Sequence, residues 1–279
     1  MAVKVTVENI TPEIADEMLG HNSRNPRKLI NRSVVQKYAD DISAGLWELN
    51  GDAIVFDEDG FLKNGQHRLF GVIKAGKPIR TVVVRGVPRN VTKWDIQYRR
   101  TLTQNVNADG LTNVNSNITS AARIIVNNFG RPVGEGIVED YIRKNVHELE
   151  RAYRCVCYGG TGHIISKCGP CIAAGYLALR TESIPSYELE VFFRRFNGID
   201  TWANDGYDIS PALVARKMFD ERGVNRSGYQ IQKEKLEIIV LGLQDFHNGN
   251  HVTDNYRIAE PFHYSEWMND IRRKDGVEG

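Results

Sequence analysis

The feature that most constrains the fold is a change of hydrophobic periodicity near residues 105–116. Before this point, short alternating apolar runs typical of strands are interleaved with amphipathic stretches typical of helices. Val3, Val5 and Val7, for example, alternate with polar residues. After this point, helical periods dominate to the end of the chain. The pattern predicts an α+β protein, with an α/β domain over residues 1–110 and an all-helical domain over residues 111–279.

Within the first region the predicted order is strand, turn, helix, strand. Ser33, with Gln36 three residues later, predicts a capped helix that ends at Gly45. Ile79–Val84 is β-branched at almost every position, which predicts a strand buried on both faces. In the second region, helices are predicted over residues 118–129, 137–153, 171–180, 187–196, 212–222 and 231–246.

Charge and composition exclude several classes of protein. The chain has 36 basic and 35 acidic residues and a net charge of +1, so contact with DNA would need a local basic patch. The longest aliphatic run, Ile238–Leu243, is too short to cross a bilayer, so no membrane partner is predicted. Four cysteines without an export signal predict free thiols in the cytoplasm. The oligomeric state is left open.

The segment Lys63–Gly71 (KNGQHRLFG) carries the strongest functional signal. Gly65 permits an unusual backbone conformation and the close approach of a ligand. The next three residues would occupy the first turn of a helix, whose N–H groups and dipole attract an anion. Arg68 can bind a phosphate with two hydrogen bonds, and His67 can donate a proton. The alternative is a plain turn followed by solvated side chains.

A strand followed by Asn64-Gly-Gln-His-Arg-Leu69 at the start of a helix resembles the ParB/sulfiredoxin superfamily. The similarity is greatest to the branch that carries Asp-Gly-Gln-His-Arg in bacteriophages and in DNA-modification gene clusters. It covers about residues 9–110 and includes, in the family's order, Asn25–Lys28, Trp47, Asn50-Gly51, Asp95 and Arg100-Thr101. The resemblance implies a nucleotide-binding domain over residues 1–110.

The resemblance also implies the residues of the site. The turn would bind the phosphates of ATP or CTP with Mg²⁺, and His67, Arg68 and Asp95 would be catalytic. Nucleotide-binding roles fall to Asn64, Gly65, Gln66, His67, Arg68, Arg27, Lys28, Arg100 and Thr101. No residue is assigned as a metal ligand. Sulfinic-acid reduction is not expected, because glutamine stands at position 66 where sulfiredoxin has its catalytic cysteine.

The resulting hypothesis is a nucleotide-dependent phosphotransferase or NTPase, phage-encoded and linked to DNA modification. One alternative is a non-catalytic, partition-like or regulatory DNA-binding protein that nucleotide switches, and another is a ParB-like nuclease. DNA binding would use the basic stretch of Arg85, Arg89, Lys93, Arg99 and Arg100, with Trp94 and Tyr98 interleaved. The competing interpretation is a helix whose aromatic residues dock on the core.

Three further groups of residues have two interpretations each. Cys155, Cys157, Cys168 and Cys171 could hold a structural zinc ion, but the single residue between the first two favours buried free thiols. The acidic run Asp57–Asp59 is typical of a hairpin turn rather than of a metal site. The spacing of His247, His251 and His263 predicts surface residues.

Overall fold

The computed structural model describes residues 2–21, 30–88, 101–108, 111, 113–130, 132–157, 164–199, 206–223 and 228–277. The chain divides into two compact units, Met1–Arg100 with Pro132–Asp140, and Thr101–Arg131 with Tyr141–Gly279. The described residues form eleven helices and one four-stranded sheet, which confirms the α+β class. None of the helices described here is both long enough and apolar enough to span a bilayer.

The first unit holds the sheet and three helices. Its elements are β1 (Lys4–Ile10), α1 (Pro12–Gly20), α2 (Arg32–Ser43), β2 (Ile54–Asp57), β3 (Leu62–Asn64), α3 (Gln66–Ala75) and β4 (Ile79–Val87). The strand order is β1-β4-β2-β3, with β4 antiparallel to β1 and parallel to β2. The core lies between sheet and helices and includes Ile10, Ile54, Leu69, Val72 and Val83. This arrangement places the start of α3 directly after the hairpin of β2 and β3.

The prediction that β4 is buried on both faces is wrong. Thr81 and Val83 are buried, whereas Arg80 is exposed and Val84 is only half-buried. Val5 of β1, which pairs with Val84, has 62% of its surface exposed. A β-branched run satisfies the preference of a pleated backbone whether one face or both are covered. The sequence therefore identified the strand correctly but not how many of its faces are covered.

The predicted cap of α2 is also wrong. The side-chain oxygen of Asn31 accepts hydrogen bonds from the N–H groups of Ser33 (3.0 Å) and Val34 (3.3 Å). Gln36, the other member of the predicted capping box, donates instead to Asp40 at 2.8 Å. Asparagine caps a helix about as well as serine, so the choice between adjacent candidates depends on the tertiary contacts of each.

The second unit is helical. Six predicted helices are present with small differences at their ends, whereas α4 and α11 were not predicted. The helices are α4 (Leu102–Ala108), α5 (Ser116–Asn127), α6 (Glu135–Val156, which begins in the first unit), α7 (Gly169–Arg180), α8 (Ser186–Phe196), α9 (Ser210–Glu221), α10 (Tyr229–His247) and α11 (Tyr264–Lys274). Phe192, Phe193 and Phe196 are fully buried, which makes this aromatic cluster part of the core.

Candidate functional site

A tight strand-to-helix turn lies at Gly65. Its φ of 105° falls in the left-handed region, which favours glycine. A Cβ atom at this position would lie only 3.0 Å from Cγ1 and 3.2 Å from Cα of Ile54. The N–H of Gly65 donates to the side-chain oxygen of Asn64 at 2.9 Å. The backbone therefore passes directly over β2 before it enters α3, and only glycine fits there.

His67 joins the starts of two helices. Its Nε2 accepts a hydrogen bond of 3.0 Å from the backbone N–H of Asn31, the residue that caps α2. Because Nε2 accepts, the neutral ring carries its proton on Nδ1. The first turns of α2 and α3 are thus neighbours, and the positive ends of both helix dipoles meet at His67.

Arg68 turns inward from the first turn of α3. Only 6% of its surface is exposed, and its guanidinium donates to the backbone carbonyls of Asp52 and of Ala53, the latter at 3.0 Å. Gln66 is buried as well. The guanidinium therefore positions the chain that leads into β2, while its positive charge stays beneath the turn at Gly65.

Most of the remaining predicted site residues lie outside the described part of the chain. These are Arg27, Lys28, Asp95 and Arg100, together with Arg89, Lys93, Trp94, Tyr98 and Arg99 of the basic stretch. Thr101 is described, in the second unit. It caps α4, since its Oγ1 accepts from the N–H of Gln104 at 3.3 Å and its own N–H donates to the side chain of Gln104 at 2.8 Å.

Arg85, from the predicted basic stretch, is held on the sheet. Its guanidinium makes two hydrogen bonds to the carboxylate of Glu8 and lies 5.5 Å from the ring centre of Phe56. The hydrogen bond from Arg85 is the main reason that the pKa of Glu8 is lowered. Part of the charge that was assigned to DNA contact is thus balanced within the sheet.

The acidic run after β2 forms a hairpin turn, as predicted. Oδ1 of Asp57 accepts from the N–H groups of Asp59 (3.1 Å) and Phe61 (2.8 Å), and the Nζ of Lys63 lies 3.9 Å from its other oxygen. Asp57 is 3% exposed. Its carboxylate therefore stabilises the hairpin that delivers the chain to Gly65.

The four cysteines are free thiols that face two directions. Cys155 donates to Oε1 of Glu190 at 3.7 Å, whereas Cys157 interacts electrostatically with Cys168. Over the described residues, no three His, Cys, Asp or Glu side chains are grouped so that they could hold a metal ion. A structural zinc ion at the cysteines stays the less favoured alternative, which no observation tests.

The second unit contains three histidine–carboxylate pairs that were not predicted. The Nδ1 atoms lie 2.6 to 2.7 Å from carboxylate oxygens. The pairs are His247 with Glu188, His251 with Asp208, and His263 with Glu237. The partners are far apart along the chain, so no local pattern could reveal them. Glu237 is fully buried and also accepts from the N–H groups of residues 263 and 264, which makes that pair a cap of α11.

Two of these pairs border a cleft of about 590 Å³ in the second unit. The cleft is lined by Gly206, Tyr207, Asp208, Phe246, His247, Asn248 and Gly249. Hydrogen bonds from Ser210 and then His251 lower the pKa of Asp208 to about 2. An imidazole held by a carboxylate can accept or donate a proton, so this wall has the groups that acid–base chemistry requires.

Comparisons of the chain with protein-family models, with curated proteins and with solved structures give no match. The features that bear on function are therefore the geometry around Gly65 and His67 and the motif to which these residues belong.

Proposed function

We propose that the turn Gly65–Arg68 binds the phosphates of ATP or CTP, and that the chain is a nucleotide-dependent phosphotransferase or NTPase of the ParB/sulfiredoxin type. The observation that carries the proposal is the 3.0 Å hydrogen bond between His67 and Asn31, which brings two helix N-termini to one place. Each dipole stabilises an adjacent anion by about 0.3–1 kcal/mol at an exposed site. Two dipoles at one point favour a polyanion over a single carboxylate.

Three features of the first unit support a phosphate at this position. Gly65 lets the chain turn sharply against Ile54, so that the N–H groups at the start of α3 follow directly after β3. His67 is half-buried at the start of both helices, where an imidazole can take part in proton transfer to a phosphate oxygen or to a leaving group. The buried guanidinium of Arg68 donates to the carbonyls of Asp52 and Ala53 and so fixes the first turn of α3 against the chain that leads into β2.

Mg²⁺ would enter with the nucleotide. This ion keeps several of its waters and is usually bound through one or two carboxylates together with the phosphates of a substrate. The metal would neutralise phosphate charge. The resemblance implies that Asp95 is the catalytic base.

Phage origin and a link to DNA modification belong to the same proposal. They depend on the likeness of residues 64–69 to the phage branch of the superfamily, where the motif turn holds nucleotide phosphates. Phosphoryl transfer needs mainly positioning and charge neutralisation, which a glycine turn, two helix ends and a buried guanidinium supply.

The test begins with nucleotide binding. Thermal unfolding is measured with ATP, CTP, GTP and ADP, each with and without Mg²⁺. A nucleotide at a hundred times its dissociation constant stabilises the folded state by about 2.7 kcal/mol, which raises the midpoint by about 5–10 °C. Release of inorganic phosphate from the nucleotide that binds then measures turnover.

A pair of variants locates the site. His67→Ala should weaken nucleotide binding at least about tenfold, since it removes a donor and the link to α2. Lys74→Ala, an exposed change in the last turn of the same helix, should leave binding unchanged. Equal affinities in the two variants would place the nucleotide elsewhere. Binding without phosphate release would instead favour the nucleotide-switched regulatory protein.

A further inference from the structure

Two cysteines lie at the start of α7 in the second unit. The sequence there is Cys168-Gly-Pro-Cys171, with Cys168 as the extended N-cap residue and the proline in the first turn. Cys171 is fully buried and Cys168 is half-buried. Residues three positions apart on a helix are neighbours on its surface, so this spacing places the two thiols on the same side of the first turn.

The two thiols belong to one helical turn, with Cys168 at the N-cap and Cys171 three residues later. Each thiol shifts the pKa of the other. The backbone between them is already a closed helical turn, because the N–H of Ile172 donates to the carbonyl of Cys168 at 3.2 Å. Residues three apart on a helix have Cβ atoms about 5–6 Å apart. A disulfide needs Cβ atoms about 3.5–4.5 Å apart, so a small approach of the two side chains is sufficient. The bond can therefore form without unwinding α7.

The surroundings favour negative charge on one sulfur. The positive end of the α7 dipole lies at Cys168. From α10, the ammonium group of Lys235, which is 2% exposed and donates to the carbonyl of Gly223 at 2.9 Å, acts electrostatically on both sulfurs. Cys157, the residue directly after α6, interacts electrostatically with Cys168. Among the described groups that shift the pKa values of Cys168 and Cys171, none is a carboxylate.

We propose that Cys168 and Cys171 form a reversible redox site, which reduces a disulfide substrate by thiol–disulfide exchange. This activity is independent of the nucleotide site that is proposed in the first unit. Cys168 is the attacking thiol, because it is half-buried and stands at the helix end. Cys171, buried behind it, is the resolving thiol.

The reaction balances with the disulfide as the oxidant. The Cys168 thiolate attacks one sulfur of the substrate disulfide, breaks its S–S bond and releases the first substrate thiolate. Cys171 gives its proton to that thiolate and attacks the sulfur of Cys168, which releases the second substrate thiolate to take a proton from water. Two electrons pass to the substrate, and the Cys168–Cys171 disulfide remains.

Cys155 and Cys157, in the same unit, are cysteines whose thiols are not activated. Burial raises the pKa of Cys155 to about 11 and that of Cys157 to about 12. In contrast, the interaction with Cys171 lowers the pKa of Cys168, while burial raises the pKa of Cys171 well above its ordinary range. Thiol–disulfide exchange requires one thiol that ionises readily, here Cys168, and a second that stays protonated until the mixed disulfide has formed, here Cys171.

The first experiment uses the intact chain without substitutions. The reduced protein is alkylated with iodoacetamide at pH 7, and each cysteine is followed by peptide mass spectrometry. Cys168 should react at least about tenfold faster than Cys157, since only the thiolate is nucleophilic. Cys157 is the matched internal control because it is also half-buried. Equal rates would overturn the assignment of Cys168 as the attacking thiol.

The second experiment equilibrates the protein with glutathione and glutathione disulfide. As the proportion of glutathione disulfide increases, the tryptic peptide 168–180 should lose the mass of two hydrogen atoms, because the disulfide forms within it. The control variant Cys155→Ser should show the same mass change at the same glutathione ratio. Cys171→Ser should instead stop at a glutathione adduct on Cys168, and Cys168→Ser should form neither product. If the protein accelerates the reduction of insulin by dithiothreitol, its substrates include protein disulfides. If it does not, its substrates are small disulfides.

Three results would contradict the proposal. The first is a pair that stays reduced in glutathione disulfide. The second is a bond that joins Cys157 rather than Cys171 to Cys168. The third is one equivalent of zinc in the purified protein that must be removed before the thiols react, because the cysteines would then be structural ligands.

Discussion

Asp41 offers the sharpest test of the first unit, because its carboxylate is partly buried where α2 meets the start of α6. Its Oδ1 accepts from the N–H of Ile137 at 3.3 Å, and the N–H of Gly136 also donates to the carboxylate. Burial nevertheless raises the pKa of Asp41 to about 6, and the negative charges of Asp40 and Glu135 act in the same direction. The charged carboxylate is therefore less stable in the folded protein than in the unfolded chain.

The sign of the pH dependence follows from proton binding. Between the ordinary pKa of 3.8 and the folded value of about 6, the folded protein binds more protons at Asp41 than the unfolded chain does. The contribution of Asp41 to stability is therefore complete below about pH 4 and is lost as the pH rises through 6. Each pH unit between the two pKa values corresponds to about 1.36 kcal/mol, and partial exposure of the carboxylate reduces the total to about 1–2 kcal/mol.

The perturbation is Asp41→Asn, which keeps a hydrogen-bond acceptor for the amides of α6 and removes the titration. Relative to the parent, the variant should gain about 1–2 kcal/mol in the free energy of unfolding between pH 4.5 and pH 8. Hydrogen exchange of peptides from α2 and α3 measures this free energy for the first unit alone. Comparison at equal pH cancels the intrinsic exchange rates.

Asp16→Asn is the matched control, since it makes the same chemical change on the exposed face of α1 in the same unit. Its stability relative to the parent should change by less than about 0.5 kcal/mol over the same pH range. The reasoning is refuted if Asp41→Asn and the parent respond identically to pH, or if the parent gains on the variant as the pH rises.

Three further substitutions test other parts of the structure. Gly65→Ala should lower the free energy of unfolding of the first unit by about 2–3 kcal/mol, measured by hydrogen exchange of α3, because alanine is strained at a φ of 105° and its Cβ meets Ile54. Arg68→Ala should cost about 2–4 kcal/mol in urea denaturation, because two backbone carbonyls lose a charged donor. Tyr141→Phe should cost about 1–2 kcal/mol in the thermal unfolding of the second unit, because its hydroxyl donates to Asp275 at 2.8 Å.

Local patterns predicted the parts of the fold that local physics determines. The strand-to-helix turn at Gly65 was found because its backbone conformation requires glycine, and the hairpin at Asp57 because an aspartate at that position can accept from its own turn. The six long helices were found because their apolar residues recur at helical spacing. In these cases the residue type and its neighbours within a few positions carry the information.

The details that failed depend on contacts between distant residues. Whether β4 is covered on one face or both depends on where the helices pack. The residue that caps α2 is Asn31, and the backbone N–H of Asn31 donates a hydrogen bond to His67, which lies 36 positions away. The inward turn of Arg68 is set by the carbonyls at positions 52 and 53, which lie beside it only after β2 has joined the sheet. No window of the sequence contains these pairs.

The two proposed sites use one electrostatic device with different sources of the anion. Each combines a helix N-terminus with a buried cation, Arg68 beneath the start of α3 and Lys235 beside the start of α7. At α7 the chain supplies the anion itself, the thiolate of Cys168, whereas at α3 the anion must come from solution. Added nucleotide should therefore protect amides of α3 from hydrogen exchange without slowing alkylation of Cys168, and oxidation of the thiols should leave nucleotide affinity unchanged. Coupling between the two responses would contradict the assignment of two independent sites.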